Sequence, residues 1–139
     1  MEIKKRILGL DIGDKRIGVA ISDPFGLFSS EVGVILREND NKAIEEIVKY
    51  CNLYDVKTIV AGLPYNMDGS IGTQGEKTLQ FMSKLENNYE IIYKDERLTS
   101  FEAEEILKKE KKKYTKNKGL VDVKAACLIL QSYLGEQNG

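Results

Sequence analysis

The segment at residues 7–13 constrains this chain more than any other part of its sequence. It reads Ile-Leu-Gly-Leu-Asp-Ile-Gly, a short apolar run that contains one carboxylate and ends in glycine. A run of this kind between turn residues is typical of a strand that is buried on both faces of a sheet. A buried carboxylate needs a partner, so we expect Asp11 to face a cation, a metal ion or several hydrogen-bond donors. The alternative is that Asp11 only caps the turn at residues 13–15.

The length of 139 residues predicts one domain, spanning residues 1–139, with a single core. The N-terminal residues lack the pattern of a secretory leader, and no apolar run approaches the roughly 18 residues of a membrane span. Cys51 and Cys127 lie in helix-like apolar patterns, far apart in sequence. They are predicted to be buried thiols of a cytoplasmic protein that does not contact a membrane.

The chain contains no histidine. This excludes Ser-His and Cys-His nucleophile pairs, imidazole bases and histidine-ligated transition metals. Any catalysis must therefore use carboxylates, lysines, hydroxyl groups or a hard metal ion bound by oxygen atoms.

The hydrophobic pattern predicts strands at residues 5–12, 16–22, 32–36, 58–62 and 91–95. The first two form a hairpin, so the second strand is antiparallel. Helices are predicted after an N-cap cluster at residues 39–41, at 73–85, from Thr99 with a capping-box pattern, and at about 121–134. This order indicates an α/β fold with a mixed five-stranded sheet and helices on its faces.

Acidic residues occur at the ends of these elements: Asp11 and Asp95-Glu96 after strands, and Asp122 at the start of the last helix. The small residues Ala125 and Ala126 would let that helix approach the sheet and bring Asp122 towards the strand ends. Acids that converge there would repel each other and be relieved by a divalent cation. Taken singly, Asp95 fits a surface charge, Glu96 a pair with Arg97, and Asp122 a favourable acid at a helix N-terminus.

A lysine-rich segment at about 108–119 contains seven lysines and one glutamate between Lys108 and Lys118, a local charge of +6 in a chain of net charge −1. One interpretation is a solvated helix end. The other is a mobile arm that follows a phosphate backbone, with Tyr114 available for stacking. The lysines assigned to nucleic-acid binding are Lys111, Lys112, Lys113, Lys116 and Lys118.

Four motifs occur in order along the chain: residues 8–13 with 16–20, 62–64 with 66–69, 95–99, and Asp122 with Ala125, Ala126, Leu130 and Gln131. In this combination the chain closely resembles the YqgF/RuvX family over nearly its whole length. That family consists of small bacterial proteins with a ribonuclease H-like fold. They are regarded as Holliday junction resolvases or as nucleases that process the 5′ end of precursor 16S ribosomal RNA.

The resemblance implies a sheet order of 3-2-1-4-5 and a catalytic and metal-binding site of Asp11, Glu96 and Asp122. Asp95, Arg16 and Arg97 are candidate supporting residues, although the two arginines fit salt bridges to the same acids equally well. Related nucleases often carry an acid at the end of the fourth strand, where this chain has Gly62-Leu63-Pro64. Glu96 would instead follow the fifth strand, two strands from Asp11, or roughly 10 Å away at about 4.8 Å per strand.

The resemblance implies hydrolysis of phosphodiester bonds with Mg²⁺ or Mn²⁺. The main expectation is the processing of pre-16S rRNA in ribosome biogenesis. The alternatives are a Holliday junction resolvase acting on four-way DNA and a nucleic-acid-binding module without activity. The 7–13 segment also resembles the first phosphate motif of actin-like and sugar-kinase ATPases, but those enzymes bind nucleotide between two such domains. The chain could be a monomer or a dimer, and cleavage of a symmetric junction requires a dimer.

Overall fold

The computed structural model of the protein describes residues 2–96 and 118–138, except the side chains of 118 and 119. These residues contain the strands β1 (Ile7–Ile12), β2 (Arg16–Ser22), β3 (Ser29–Leu36), β4 (Thr58–Leu63) and β5 (Glu90–Asp95). They form one sheet in the order β3-β2-β1-β4-β5. β2 is antiparallel to both of its neighbours, whereas β4 is parallel to β1 and to β5. The predicted sheet, strand order and antiparallel second strand are therefore confirmed.

The described helices are α1 (Asp40–Tyr54), α2 (Thr73–Met82) and α3 (Lys118–Asn138). Asn39 caps α1, because its side chain accepts hydrogen bonds from the backbone N–H groups of Asn41 and Lys42. The region predicted as one helix at 73–85 is an α-helix to Met82, followed by a 3₁₀ turn at Ser83–Leu85. The helix predicted from Thr99 lies outside the described residues.

β3 and the last described helix, α3, are both longer than predicted. β3 begins at Ser29 instead of residue 32, since Ser29 pairs with Ser22 and also bonds to Gln131 and the backbone of Cys127 in α3. α3 begins at Lys118, before the predicted residue 121, and continues to Asn138, whose side chain donates to the carbonyls of Gly26 and Leu134. Both extensions depend on contacts between distant segments, which a local pattern does not contain.

The two faces of the sheet bury different side chains. Alternation along each strand sends one set towards α1 and α2 and the other towards α3. The α1/α2 side is formed mainly by large side chains together with Ala43 and Ala61, whereas the α3 side also contains glycine. The buried residues on the first side include Leu8, Leu10, Ile17, Val19, Ile47, Ile59 and Phe81; those on the second include Ala20, Val60, Ala126, Ile129 and Leu130.

α3 lies very close to the sheet at Gly9 and Gly18. A Cβ atom on Gly9 would be 2.7 Å from the Cβ of Leu130, and one on Gly18 would be 2.0 Å from the backbone oxygen of Asp122. Ala126 is fully buried between them. The predicted close approach of this helix is confirmed, and the glycines of β1 and β2 provide the space for it.

Both cysteines are buried in helices, as predicted, and neither forms a disulfide. Burial raises the pKa of the Cys51 and Cys127 thiols to about 11. Among the helices within residues 2–96 and 118–138, none combines the length and hydropathy that a membrane span requires.

Candidate functional site

Asp11 lies one residue before the end of β1, on the face that α3 covers. Leu8, Leu10 and Ile12 belong to the α1/α2 core, so alternation turns Gly9 and Asp11 to the other side. The pKa of Asp11 is raised well above its ordinary value, mainly by burial and then by the negative charges of Glu96 and Asp122. The carboxylate is thus partly buried beside two other acids.

Glu96 reaches Asp11 by passing over Gly62. The backbone N–H of Glu96 donates to the carbonyl of Leu63 at 3.3 Å, which places it directly after β5 beside the end of β4. The β1–β4 register ends with Leu10 opposite Ala61, so the next residue, Gly62, lies beside Asp11. A Cβ atom on Gly62 would be 2.5 Å from Oε2 of Glu96, which shows that the Glu96 side chain occupies this space.

The expected separation of two strands is therefore bridged by one side chain. The carboxyl groups of Asp11 and Glu96 lie close enough together for each to alter the pKa of the other, and burial raises the pKa of Glu96 as well. Glycine at the end of β4, where related nucleases often have an acid, is what makes room for the acid from β5.

Asp122 lies on the first part of α3, where the helix crosses Gly18, the β2 partner of Asp11. Its Oδ2 accepts a hydrogen bond from Nε of Arg16 at 2.9 Å. The salt bridge considered for Arg16 is thus present, between side chains that are 30% and 20% exposed. Within the described ranges, no three acidic or cysteine side chains form a cluster with metal-binding geometry. The structure brings Asp11 and Glu96 together and pairs Asp122 with Arg16 beside them.

The residues present are suited to a hard divalent cation. Oε2 of Glu96 is buried and has no hydrogen-bond partner among the residues that the structure describes. An unsatisfied buried carboxylate oxygen is costly unless a cation or a donor reaches it. The available donors are carboxylate oxygens, which Mg²⁺ and Mn²⁺ prefer.

Asp95 does not join this group. Ile91 and Tyr93 pack on the α1/α2 core and Ile92 on the α3 side, so Asp95 is on the opposite face from Glu96. Its charge still contributes to the raised pKa of Glu96. Arg97 and the lysines Lys111, Lys112, Lys113 and Lys116 lie outside the described residues, and Lys118 is described only as the first residue of α3.

Sequence reasoning missed Arg37, which organises the turn after Asp11. Its Nη1 donates to the carbonyl of Gly13 and its Nε to Asp40, both at 2.9 Å. The guanidinium also lies 4.4 Å from the centre of the Phe81 ring. A single arginine after an edge strand has no local signal for this role, because its partners come from three separate segments.

The family model for RuvX, described as Holliday junction resolvase, matches residues 5–136. The chain belongs to the RuvX family. The resemblance inferred from the four motifs is therefore confirmed, and the match includes Asp11, Glu96 and Asp122.

Two curated members of the RuvX family are closely similar to this chain. A protein of Clostridium botulinum (strain Hall) named "Putative pre-16S rRNA nuclease" is 47% identical over 131 residues, which cover 93% of this chain and 96% of that protein. A protein of Halothermothrix orenii with the same name is 44% identical over 135 residues, covering 96% of both.

Solved structures confirm the ribonuclease H-like fold that the RuvX family implies. The fowlpox virus Holliday junction resolvase matches with a TM-score of 0.60 and 14% identity, covering 95% of this chain and 99% of its own. Thermus thermophilus RuvC, solved in complex with a Holliday junction substrate, matches with a TM-score of 0.58 and 10% identity, covering 97% of both chains.

Proposed function

We propose that this protein is a metal-dependent endonuclease that hydrolyses phosphodiester bonds in structured RNA, in the processing of the 5′ end of pre-16S rRNA. The observation that carries the proposal is the Asp11–Glu96 pair, in which two carboxyl groups meet and Oε2 of Glu96 lacks a partner among the described residues. The RNA substrate follows from the name of the RuvX relatives that are 44 to 47% identical.

Asp11 and Glu96 would hold Mg²⁺ or Mn²⁺, with Asp122 as the third acid. A divalent cation in such a site lowers the pKa of a bound water and stabilises negative charge on phosphate oxygens. Asp11 is the central residue because both other acids act on its pKa. Arg16 neutralises Asp122 and keeps that carboxylate beside the pair. Gly62 and Gly18 position the site, since they let Glu96 and α3 approach β1.

The same site could instead cut four-way DNA, and the description of the matching family model favours this second candidate. The fowlpox resolvase and RuvC support it only through their fold, because both are less than 25% identical to this chain. Resolution of a symmetric junction would also require a dimer with two sites.

The lysines Lys111, Lys112, Lys113, Lys116 and Lys118 are proposed to contact the phosphate backbone. The support is the local charge of +6 in the segment immediately before Asp122. Replacing Lys111, Lys112 and Lys113 with glutamine should weaken binding to all sequences equally. It should also flatten the dependence of log Kd on log salt, by about 0.7 to 0.9 for each phosphate that a lysine no longer neutralises. An unchanged slope would contradict this assignment.

The proposal is tested with a pre-16S rRNA fragment and a four-way DNA junction, each in Mg²⁺ and in Mn²⁺. Asp11→Asn and Glu96→Gln should lower kcat/KM by about 1000-fold, which corresponds to about 4 kcal/mol of transition-state stabilisation. Asp95→Asn is the matched control, since it removes a neighbouring charge on the opposite face. Calorimetric titration with Mn²⁺ gives a second readout, in which the parent binds and Asp11→Asn does not.

Equal cleavage by the parent and Asp11→Asn would show that the activity belongs to another site or to a contaminant. Binding of both substrates without cleavage of either would establish the binding-module alternative. Preference for RNA over the junction supports rRNA processing, and the reverse preference supports junction resolution.

A further inference from the structure

The loop between β4 and α2 is built around a tight turn at residues 66–69. The N–H of Gly69 donates to the carbonyl of Asn66 at 2.9 Å, and Gly69 has a φ of +88° that favours glycine. The N–H of Asn66 donates to the carbonyl of Ser70, and the N–H and hydroxyl of Ser70 both donate to Asp68. These hydrogen bonds fix the loop conformation locally.

The turn is also fixed to the scaffold that holds the candidate site. Its first residues follow Leu63, whose carbonyl accepts the hydrogen bond from the N–H of Glu96. On the other side, Asn66 packs so closely on Gly72 that a Cβ atom there would be 2.6 Å from the Asn66 Oδ1. The turn therefore follows the C-terminal end of β4, and the parallel arrangement of β1, β4 and β5 places this end on the same side of the sheet as Asp11 and Glu96.

Met67 occupies the tip of this turn and is 96% exposed. Ile71, in the same loop, is 42% exposed. Exposed apolar residues are common on protein surfaces and need no explanation when they stand alone. Met67 differs because it lies in a hydrogen-bonded turn that begins three residues after Leu63, the residue that binds the Glu96 backbone. A long, unbranched apolar side chain presented in this way can enter a narrow space in a partner.

We propose that Met67 inserts between two stacked bases of the nucleic acid next to the bond that is cut, and so favours substrates with a distortable base step. Apolar side chains such as methionine act as wedges of this kind in proteins that kink nucleic acids. The cost of opening a step is lowest at a mismatch, a bulge or a junction. Met67 therefore contributes structure selectivity to the nuclease site, and the inference rests on the proposed function for its substrate class.

The test uses substrates with 2-aminopurine at the base step beside the cut, since the fluorescence of this base rises when it is unstacked. The variants are Met67→Ala and Met67→Leu, each also made with Asp11→Asn so that binding is measured without cleavage. Leu53→Ala is the matched control. Leu53 is 70% exposed near the end of α1, shortly before β4 begins, whereas Asp11 lies at the other end of the parallel strands β1 and β4. Met67→Ala should abolish the fluorescence rise on binding, while Met67→Leu and Leu53→Ala retain it.

In the active background, Met67→Ala should cut a fully paired substrate about 10-fold more slowly, a change equal to about 1.4 kcal/mol. It should cut a substrate with an unpaired base at that step at nearly the parent rate, because the opening cost is already absent. An unchanged fluorescence rise with Met67→Ala would overturn the inference. The inference would also be overturned if Met67→Ala lost self-association but kept the fluorescence rise of the parent. Met67 would then belong to an interface between copies of the protein.

The two proposals fail in different ways. If the parent binds and unstacks the base but cuts nothing, the nuclease function is wrong and the role of Met67 stands. If Asp11→Asn abolishes cleavage while Met67→Ala matches the parent in every assay, the nuclease function stands and the role of Met67 is wrong.

Discussion

Replacing Gly62 with alanine should inactivate the protein without unfolding it. The new Cβ atom would lie 2.5 Å from Oε2 of Glu96 and 2.5 Å from Cδ1 of Ile129. Ordinary contact begins at about 3.5 Å, so both groups must move by about 1 Å. Each is the end of a flexible side chain, so we expect a cost near the lower end of overpacking, about 1 kcal/mol.

The effect on catalysis should be larger. Glu96 contacts Asp11 only because its side chain lies in the space over Gly62. A misplacement of about 1 Å in a catalytic group can lower the rate about 100-fold. Steady-state cleavage of the pre-16S rRNA fragment measures the loss of kcat/KM, and thermal unfolding measures the loss of stability.

A second substitution separates the two effects. Ile129→Val removes the Cδ1 atom that the new methyl group would meet, so Gly62→Ala with Ile129→Val should regain stability. It should not regain activity, because the contact with Glu96 remains. The reasoning is refuted if Gly62→Ala cuts as fast as the parent. It is also refuted if the double variant recovers activity together with stability, since the loss would then come from the packing of α3.

Three further predictions concern stability. Burial raises the pKa of Asp11 and Glu96 above unfolded values of about 4, and the charges of Glu96 and Asp122 add to the rise at Asp11. The metal-free protein should therefore lose stability as the pH rises from there through the raised values. Asp11→Asn should flatten this fall in urea unfolding and, at pH 7, raise Tm by about 2 to 4 °C; a lowered Tm would contradict it. Gly18→Ala should cost more than about 3 kcal/mol, because its Cβ atom would overlap the backbone of Asp122. Gly135→Ala, in open space on α3, should instead raise the free energy of unfolding by about 1 kcal/mol. Equal effects of Gly18→Ala and Gly135→Ala on this free energy would be inconsistent with the close approach of α3. Asn39→Ala should cost about 1 kcal/mol by removing the cap of α1, and an unchanged free energy of unfolding in urea would contradict this role.

The sheet and the position of Asp11 could be predicted because their signals are local. Alternation at residues 16–22 indicated the bounds of β2, and the apolar run at 7–13 placed Asp11 near a strand end. The reach of Glu96 could not be predicted in the same way. It depends on the missing side chain at Gly62, which belongs to another strand. The hydrophobic pattern of β5 contains no information about that residue. The bonds of Arg37 and the early start of β3 also join segments that are distant in sequence.

The docking of α3 on Gly9 and Gly18 has a consequence for when the site can exist. Asp122 belongs to α3, and that helix packs on the sheet further along through Leu130 and Leu134. A ribosome releases the N-terminal strands first, so Asp11 is exposed to solvent while α3 is still being synthesised. Asp122 can join Asp11 and Glu96 only after α3 has been synthesised and has packed on β1 and β2, so the N-terminal strands alone cannot form the site.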